Sequence, residues 1–324
     1  MKSHQLLRMI GVTTVTVLTT SALAACSSDS SGADQHEAPQ EGTQIVATTG
    51  VWADVASAVT GNEVEAIISD RSIDPHHFEP SAKDLARVRG AETVVANGGH
   101  YDASLYTVAE QDRIIHAVPL LIDGTAHDHD HDHDHEGQAH DHAHSGTPES
   151  LDELEHIWFS PEKVKEVAQQ IQDRVGGDAT KVTERLDAIE SRLKSLKHAH
   201  LAMTEPIAAP LVWGTELHDI TPEGYMHAAL NHSEPSVSDI AQMMGLIESG
   251  TLDLLVVNPQ STNGATERLA KAAQDNDVPV VEIRETPPEG VDFLDYFEQI
   301  IDEIEATVQK ADPLPDTELP QPKN

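Results

Sequence analysis

The sequence predicts an α/β protein of two βα lobes with parallel sheets, joined by a long helix. Three observations predict it. Short β-branched runs alternate with helical stretches, the pattern of βαβ units around a parallel sheet. The alternation occurs twice, once in each half of the chain, and a helix-period apolar stripe lies between the two occurrences.

In the first half, Ile45-Val46-Ala47-Thr48-Thr49, Val64 to Ser69, Thr93 to Asn97 and Ile114 to Val118 read as buried strands. Ser81-Ala82-Lys83-Asp84 has the form of a helix N-cap, with Leu85 and Val88 on the inner face of the helix that follows. A further helix opens at Pro161, where a missing N–H costs nothing, and Gly176 and Gly177 end it. Then Val182, Leu186, Ile189, Leu193 and Leu196 recur at spacings of four, three, four and three, which places them on one stripe. A surface helix of a single domain would show the same stripe. Strand-helix alternation on both sides favours a helix spanning two lobes. In the second half the strands are Leu201 to Thr204, Leu254 to Asn258 and Val278 to Ile283, with helices over Ser236 to Ile247 and Glu267 to Gln274. Aromatic residues make up only 3% of the chain, so the core must be aliphatic, as in parallel sheets covered on both faces.

The ends read differently. Lys2 and Arg8 precede an uncharged stretch from Met9 to Ala22, followed by Leu23-Ala24-Ala25-Cys26. This is the layout of a secretory signal, its apolar core too short for the roughly 20 residues of a membrane span. The small residues before Cys26 resemble a bacterial lipobox, in which the cysteine becomes the acylated first residue; a chance cysteine beside an ordinary cleavage site is the plainer alternative. Cys26 is the only cysteine, so no intramolecular disulfide forms. The expected organisation is a signal peptide over 1–25, a flexible tether over 26–43, a first lobe over 44–177, a linking helix over 178–199, a second lobe over 200–311 and a Pro-rich disordered tail over 312–324.

The formal net charge of −36 argues against nucleic-acid binding and against an electrostatic grip on anionic lipid; a cationic ligand suits it better. Within it lies a tract over 126–145 carrying His127, His129, His131, His133, His135, His140, His142 and His144, interleaved with acids and without Lys or Arg. Neutral imidazoles bind zinc, copper or nickel, and the carboxylates add oxygen donors. Such alternation buries nothing, so a mobile loop is expected. It reads as an auxiliary low-affinity metal collector, as inert low-complexity sequence, or as a pH sensor titrating near 6.5. The composition favours the first.

Four scattered segments are candidates for a tighter site: Asp74 to Pro80, His156 to Pro161, Thr204-Glu205-Pro206 and Arg284-Glu285-Thr286. In open α/β sheets ligands bind beyond the carboxyl ends of strands, so two facing lobes would bring these segments to one cleft. Two imidazoles and two carboxylates suit a divalent metal. Taken singly, each such residue is more often structural than ligating. Trp158 reads as a packing residue beside His156, and Asn258-Pro259-Gln260 as a cleft lining that holds a carboxylate in place. His100 reads as a loop-surface residue, His198 and His200 as solvent-facing, and His218, His227 and His232 as part of a polar loop after Trp213.

Asp74-Pro75-His76-x-Phe78-Glu79-Pro80, Asn97-Gly98, His156-x-Trp158-x-Ser160-Pro161 and the His-rich insertion between them resemble the zinc/manganese solute-binding proteins of ABC importers, over about residues 44–310. The resemblance implies a rigid two-lobe receptor, stiffened by its long helix, with one buried metal at the lobe interface. It implies His76, rather than His77, as first ligand and His156 as second. The third position is His in many zinc receptors and Glu in many manganese receptors; here it is Glu205. The fourth is an acid after the last strand, matched by Glu285, though Asp is commoner there. The implied partners are an ABC permease and its ATPase, met by a monomer lipid-anchored to the outer face of the cell membrane. For the metal, two carboxylates lean toward Mn2+ and the histidine tract toward Zn2+, which is favoured. A surface metal buffer or adhesin could share the fold. A metallohydrolase would need an open coordination position and a general base, and no His-Glu-x-x-His or Gly-x-Ser-x-Gly motif is present.

Overall fold

Each sheet is seeded by one apolar strand that takes a partner on either side. The computed structural model describes residues 45–121, 150–231 and 233–316. Cys26 with the signal and tether, the tract from His127 to His144, His232 and residues 317–324 lie outside the described residues. The first half runs β1 (Ile45–Thr49), α1 (Gly50–Thr60), β2 (Ala66–Ile68), α2 (Ala82–Gly90), β3 (Thr93–Ala96), α3 (Ala103–Tyr106) and β4 (Ile114–His116). Two helices follow, α4 (Pro161–Val175) and α5 (Thr180–Lys194). The second half runs β5 (Ala199–Met203), α6 (Ala209–Val212), β6 (Leu217–Asp219), α7 (Glu223–Leu230), α8 (Val237–Glu248), β7 (Leu254–Val257), α9 (Gly264–Asp275), β8 (Val280–Glu282) and α10 (Phe293–Val308).

Among the described residues there are two four-stranded sheets, ordered β2-β1-β3-β4 and β6-β5-β7-β8, and every pairing is parallel. The α/β reading therefore holds, and the two halves share one topology. In each sheet the order reverses beside the seed strand, between β1 and β3 and between β5 and β7. Such reversals open a crevice at the carboxyl ends of the strands. The strands read from sequence are present: β1 keeps its expected bounds, β5 starts two residues earlier and ends one earlier, and β2, β3, β4, β7 and β8 are shorter. β6 was not expected: Leu217-His218-Asp219 has no β-branched run, and its pairing with β5 forms it. Ser81 caps α2 in a reciprocal capping box with Asp84, as its sequence predicts.

The apolar stripe of α5 is buried at Val182, Leu186, Ile189 and Leu193. It packs against α4, α1 and α10. α10 lies in the second half of the sequence yet docks on α1 and α5, inserting Phe293, Phe297 and Ile301. One continuous apolar cluster thus contains Val95 and Ile115 from the first sheet and Leu201 and Val256 from the second. Each large side chain fully buried in it contributes about 1.5–3 kcal/mol. Hinging the sheets apart would expose that surface, so the packing favours a rigid body.

A polar knot pins the same seam. Asp54 on α1 accepts from Arg71 Nη2 at 3.0 Å and from the Phe293 backbone N–H at 3.0 Å, at the start of α10. Arg71 Nη1 donates to Val291 O at 2.9 Å, and Thr286 Oγ1 donates to Arg71 O at 3.0 Å. Burial raises the Asp54 carboxyl above its usual range, and the Arg71 guanidinium opposes that rise. Arg71→Ala strands this carboxylate and should lower unfolding free energy by about 2 kcal/mol. Arg113→Ala, which removes an exposed partner of Glu110, should cost under about 0.5 kcal/mol. Urea unfolding of both variants, with metal chelated, checks the difference.

Candidate metal centre

The loops at the carboxyl ends of the strands carry the charged side chains. After β2, Pro75 opens a short 3-10 turn over Pro75–His77, and Asp74 Oδ1 accepts the His76 backbone N–H at 2.9 Å. That turn sends His76 inward and leaves the His77 side chain 82% exposed, its Nδ1 3.0 Å from Asp74 Oδ2. His156 lies just before a second 3-10 turn, Ile157–Phe159, whose three apolar side chains are buried. Asn97 Nδ2 donates to Glu155 O at 2.9 Å and fixes the approach to His156. The Trp158 ring packs 5.3 Å from His156 and 4.9 Å from Tyr101, the packing role expected of it.

The loop after β3 turns on Gly98. Its φ is +90°, and a Cβ there would lie 2.1 Å from Val118 O, so only glycine fits. Asp102 clasps this loop, accepting from Thr48 Oγ1 at 2.6 Å, Asn97 N at 2.7 Å and Gly98 N at 3.0 Å. Burial pushes its carboxyl up to about 6 despite those hydrogen bonds. The clasp presents buried Tyr101, whose hydroxyl donates to Glu285 Oε2 at 2.8 Å. On the other side of the cleft, Glu205 follows β5 and Glu285 follows β8. Asn258, just beyond β7, donates to Glu205 Oε2 at 2.8 Å and to Glu285 Oε1 at 3.1 Å. Ser261 Oγ also donates to Glu205 Oε2 in a short hydrogen bond.

His76, His156, Glu205 and Glu285 each offer one ligand atom, and the four atoms lie within 4.8 Å of one another. Glu205 Oε1 is 3.9 Å from His76 Nε2 and 3.4 Å from His156 Nε2. Glu285 Oε1 is 3.7 Å and 3.8 Å from the same two nitrogens. A tetrahedron with metal–ligand bonds near 2.0–2.1 Å has edges of about 3.3 Å, and the four imidazole–carboxylate separations, 3.4–3.9 Å, lie a little above it. His156 Nε2 is buried and makes no hydrogen bond.

The electrostatics suit a cation. Burial disfavours charge on His156, but Glu205 and Glu285 outweigh it and lift its pKa to about 10. Burial likewise opposes the Glu205 charge, yet His156, Ser261 and Asn258 hold that carboxyl down to about 2. In the metal-free protein a proton on His156 compensates the acids. A divalent ion would do so more fully, with both imidazoles as lone-pair donors. The centre lies beside a cavity of about 520 Å³ lined by His76, His77, His100, Tyr101, Glu205 and Ser261, among others.

The structure brings together the four residues singled out in the sequence and leaves His77 and His100 outside the donor group. Asn258 does hold carboxylates, both of them. Gln260 does not: its side-chain amide reaches Thr286 Oγ1 at 2.9 Å and Ile73 O at 3.3 Å. His227 is exposed on α7. His200, expected to face solvent, is instead fully buried on β5, and His218 lies on β6 rather than in a loop. Tyr101 and Ser261 belong to no motif that the sequence shows. Their one sequence cue is position, a few residues beyond the carboxyl end of a strand, where open α/β sheets gather ligands. Tyr101→Phe should keep the fold, by circular dichroism, and weaken metal binding about tenfold by freeing Glu285 Oε2. Competition with a chelating dye measures it.

A family model described as zinc-uptake complex component A, periplasmic (ZnuA), matches residues 45–307. No curated protein matches by sequence. Among solved structures, the crystal structure of a ZnuA is 16% identical with a TM-score of 0.55, covering 82% of this chain and 98% of that one. TroA from Treponema pallidum, a periplasmic zinc-binding protein, is 18% identical with a TM-score of 0.54, covering 82% of this chain and 97% of that one. The solute-binding protein FpvC from Pseudomonas aeruginosa in complex with Mn2+ is 15% identical with a TM-score of 0.56, covering 82% and 97%. At these identities the likeness is one of fold.

Proposed function

The chain belongs to the family of periplasmic zinc-uptake complex components, and we propose that it captures a divalent transition metal outside the cytoplasm, zinc by preference, and passes it to an ABC permease driven by a separate ATPase. The observation that supports this best is the meeting of two imidazoles and two carboxylates, from four segments distant in sequence, at one point where His156 and Glu285 are buried and His76 and Glu205 partly so. A closed set of four protein donors suits capture. Hydrolysis would require an open position for water.

Zinc is favoured over manganese by what surrounds the acids. Glu205 Oε2 is taken by Asn258 and Ser261, and Glu285 Oε2 by Tyr101. Glu285 Oε1 also accepts from Asn258, but it and Glu205 Oε1 are the oxygens that face the imidazoles, so each carboxylate presents one oxygen to the metal, which gives four-coordination. Manganese, a harder ion that prefers six oxygen-rich ligands, would have to strip those hydrogen bonds. The two carboxylates themselves support manganese as the second reading.

The remaining assignments rest on sequence. Cys26 is proposed as the lipid attachment that holds the receptor at the outer face of the membrane. His127, His129, His131, His133, His135, His140, His142 and His144 are proposed as an auxiliary collector of weakly held metal. Among the described residues no helix is long and apolar enough to cross a membrane.

Removing an imidazole from a closed site leaves a gap that water fills poorly. His76→Ala and His156→Ala should each weaken zinc binding by at least about tenfold, and His77→Ala should not. Calorimetric titration with zinc and manganese is the test; equal affinity for His76→Ala and wild type would refute the ligand set, and tighter manganese binding would reverse the metal preference. Cys26→Ser should release the protein from membranes or leave it unprocessed. Fractionation that finds the variant still membrane-bound would exclude the anchor.

A further inference from the structure

A second group of metal-competent side chains lies at the opposite edge of the second sheet. Alternation along a strand puts His198 and His200 on one face, and parallel pairing sets His200 directly against His218 on β6. Beyond α10, the segment Asp312-Pro313-Leu314-Pro315-Asp316 returns to this edge. Its two prolines have fixed φ, which lowers the entropy cost of holding it there. Asp316 Oδ1 lies 2.9 Å from His200 Nε2 and 3.3 Å from His198 Nε2, and Asp316 Oδ2 lies 3.1 Å from His218 Nδ1. The ring of His198 sits 4.7 Å from that of His200 and 4.5 Å from that of His218. Ligand atoms from all four residues fall within 4.8 Å of one another.

These separations bracket the roughly 3.3 Å edge of a tetrahedral zinc site. We propose that His198, His200, His218 and Asp316 form a second divalent-metal site, of the zinc, copper or nickel class, that clamps the C-terminal segment onto the β5–β6 edge. Three imidazoles and one carboxylate are a softer donor set than the two-and-two set of the cleft, which points away from manganese. His200 is fully buried, and its Nδ1 has no hydrogen-bond partner; Asp253 Oδ2 lies 3.7 Å from it and accepts the His200 backbone N–H at 2.7 Å. A carboxylate behind a ligating imidazole orients the ring when the other ring nitrogen donates to it, and Asp253 would take that part if the 3.7 Å separation closed to hydrogen-bond distance. His198 and His218 are part-exposed and Asp316 is exposed, so an ion can reach the site from solvent. Glu205 follows the far end of β5, five residues from His200, which at strand spacing places the two centres roughly 16 Å apart. The sites share no ligand.

Hydrogen exchange read by mass spectrometry on the full chain, with and without zinc, separates the possibilities. Peptides covering 196–220 and 309–318 report this site, and those around His76 and His156 report the cleft. Zinc should slow exchange in the first set by at least about tenfold in wild type. That slowing should vanish in His218→Ala and in Asp316→Ala, both of which alter side chains outside the core. The cleft peptides should respond to zinc alike in all three proteins. Absence of zinc-dependent slowing over 196–220 and 309–318 in wild type, or its persistence in both variants, would overturn the proposal whatever the cleft does. Loss of the cleft response alone would count against the receptor reading instead.

Discussion

Asn258 donates through one amide nitrogen to both Glu205 and Glu285, and the rest of the cleft follows from the problem that amide addresses. Two carboxylates that share a buried site repel each other, and one of them would ordinarily take up a proton. Here the hydrogen-bond donors on the acids are neutral: Asn258 on both, Ser261 on Glu205 and Tyr101 on Glu285. They orient the acids without cancelling their charge. Compensation is left to the imidazoles across the cleft, at 3.4–3.9 Å, and in the metal-free protein it takes the form of a raised His156 pKa. A site that holds two acids this way is prepared for a cation.

That preparation requires the two sides of the cleft not to drift. Donor positions must hold within about half an ångström for a metal site to keep its geometry. The imidazoles come from loops of the first sheet and the acids from loops of the second, so the seam between sheets sets that tolerance. α10 meets the requirement by crossing back to α1 and α5, and one continuous apolar cluster packs residues of both sheets together behind the cleft. The Asp54–Arg71 knot and the Gln260–Thr286 contact tie the loops nearest the donors to the same seam. Stiffness here comes from core packing, and the stripe on α5 is one contributor among several.

What could be read from the sequence divides along physical lines. β1, β3 and β7 were legible because fully buried parallel strands show themselves as unbroken β-branched runs. β6 was not, since Leu217-His218-Asp219 has no such run and exists by pairing with β5. The stripe from Val182 to Leu193 was legible because helical spacing is local. The return of α10 to the first lobe is a tertiary fact with no local signature. At the cleft, His76 and His156 sit in motifs that mark them, and Glu205 and Glu285 could be placed by their positions after strands. Tyr101 and Ser261 act through contacts with residues far off in sequence. The burial of His200 has the same origin: a polar residue near the start of a strand is ordinarily exposed, but β5 lies between β6 and β7, and the His200 ring meets Asp316, more than one hundred residues later.

The two histidine-containing centres differ in a way that bears on what each can do. The cleft offers two nitrogens and two oxygens on a rigid seam, beside a cavity open enough for an ion to enter and leave. Its acids are held by neutral donors, so release from the proposed ligand set requires that the two imidazole and two carboxylate bonds exchange for water while the protein scaffold stays in place. The proposed edge site offers three nitrogens and one oxygen, and that oxygen belongs to a C-terminal segment that joins the sheet through Asp316. Metal lost there would also loosen a stretch of chain, so binding at the edge is coupled to ordering in a way that binding in the cleft is not. A rigid site suits cargo that must be handed on, and a site coupled to chain ordering suits an ion that stays.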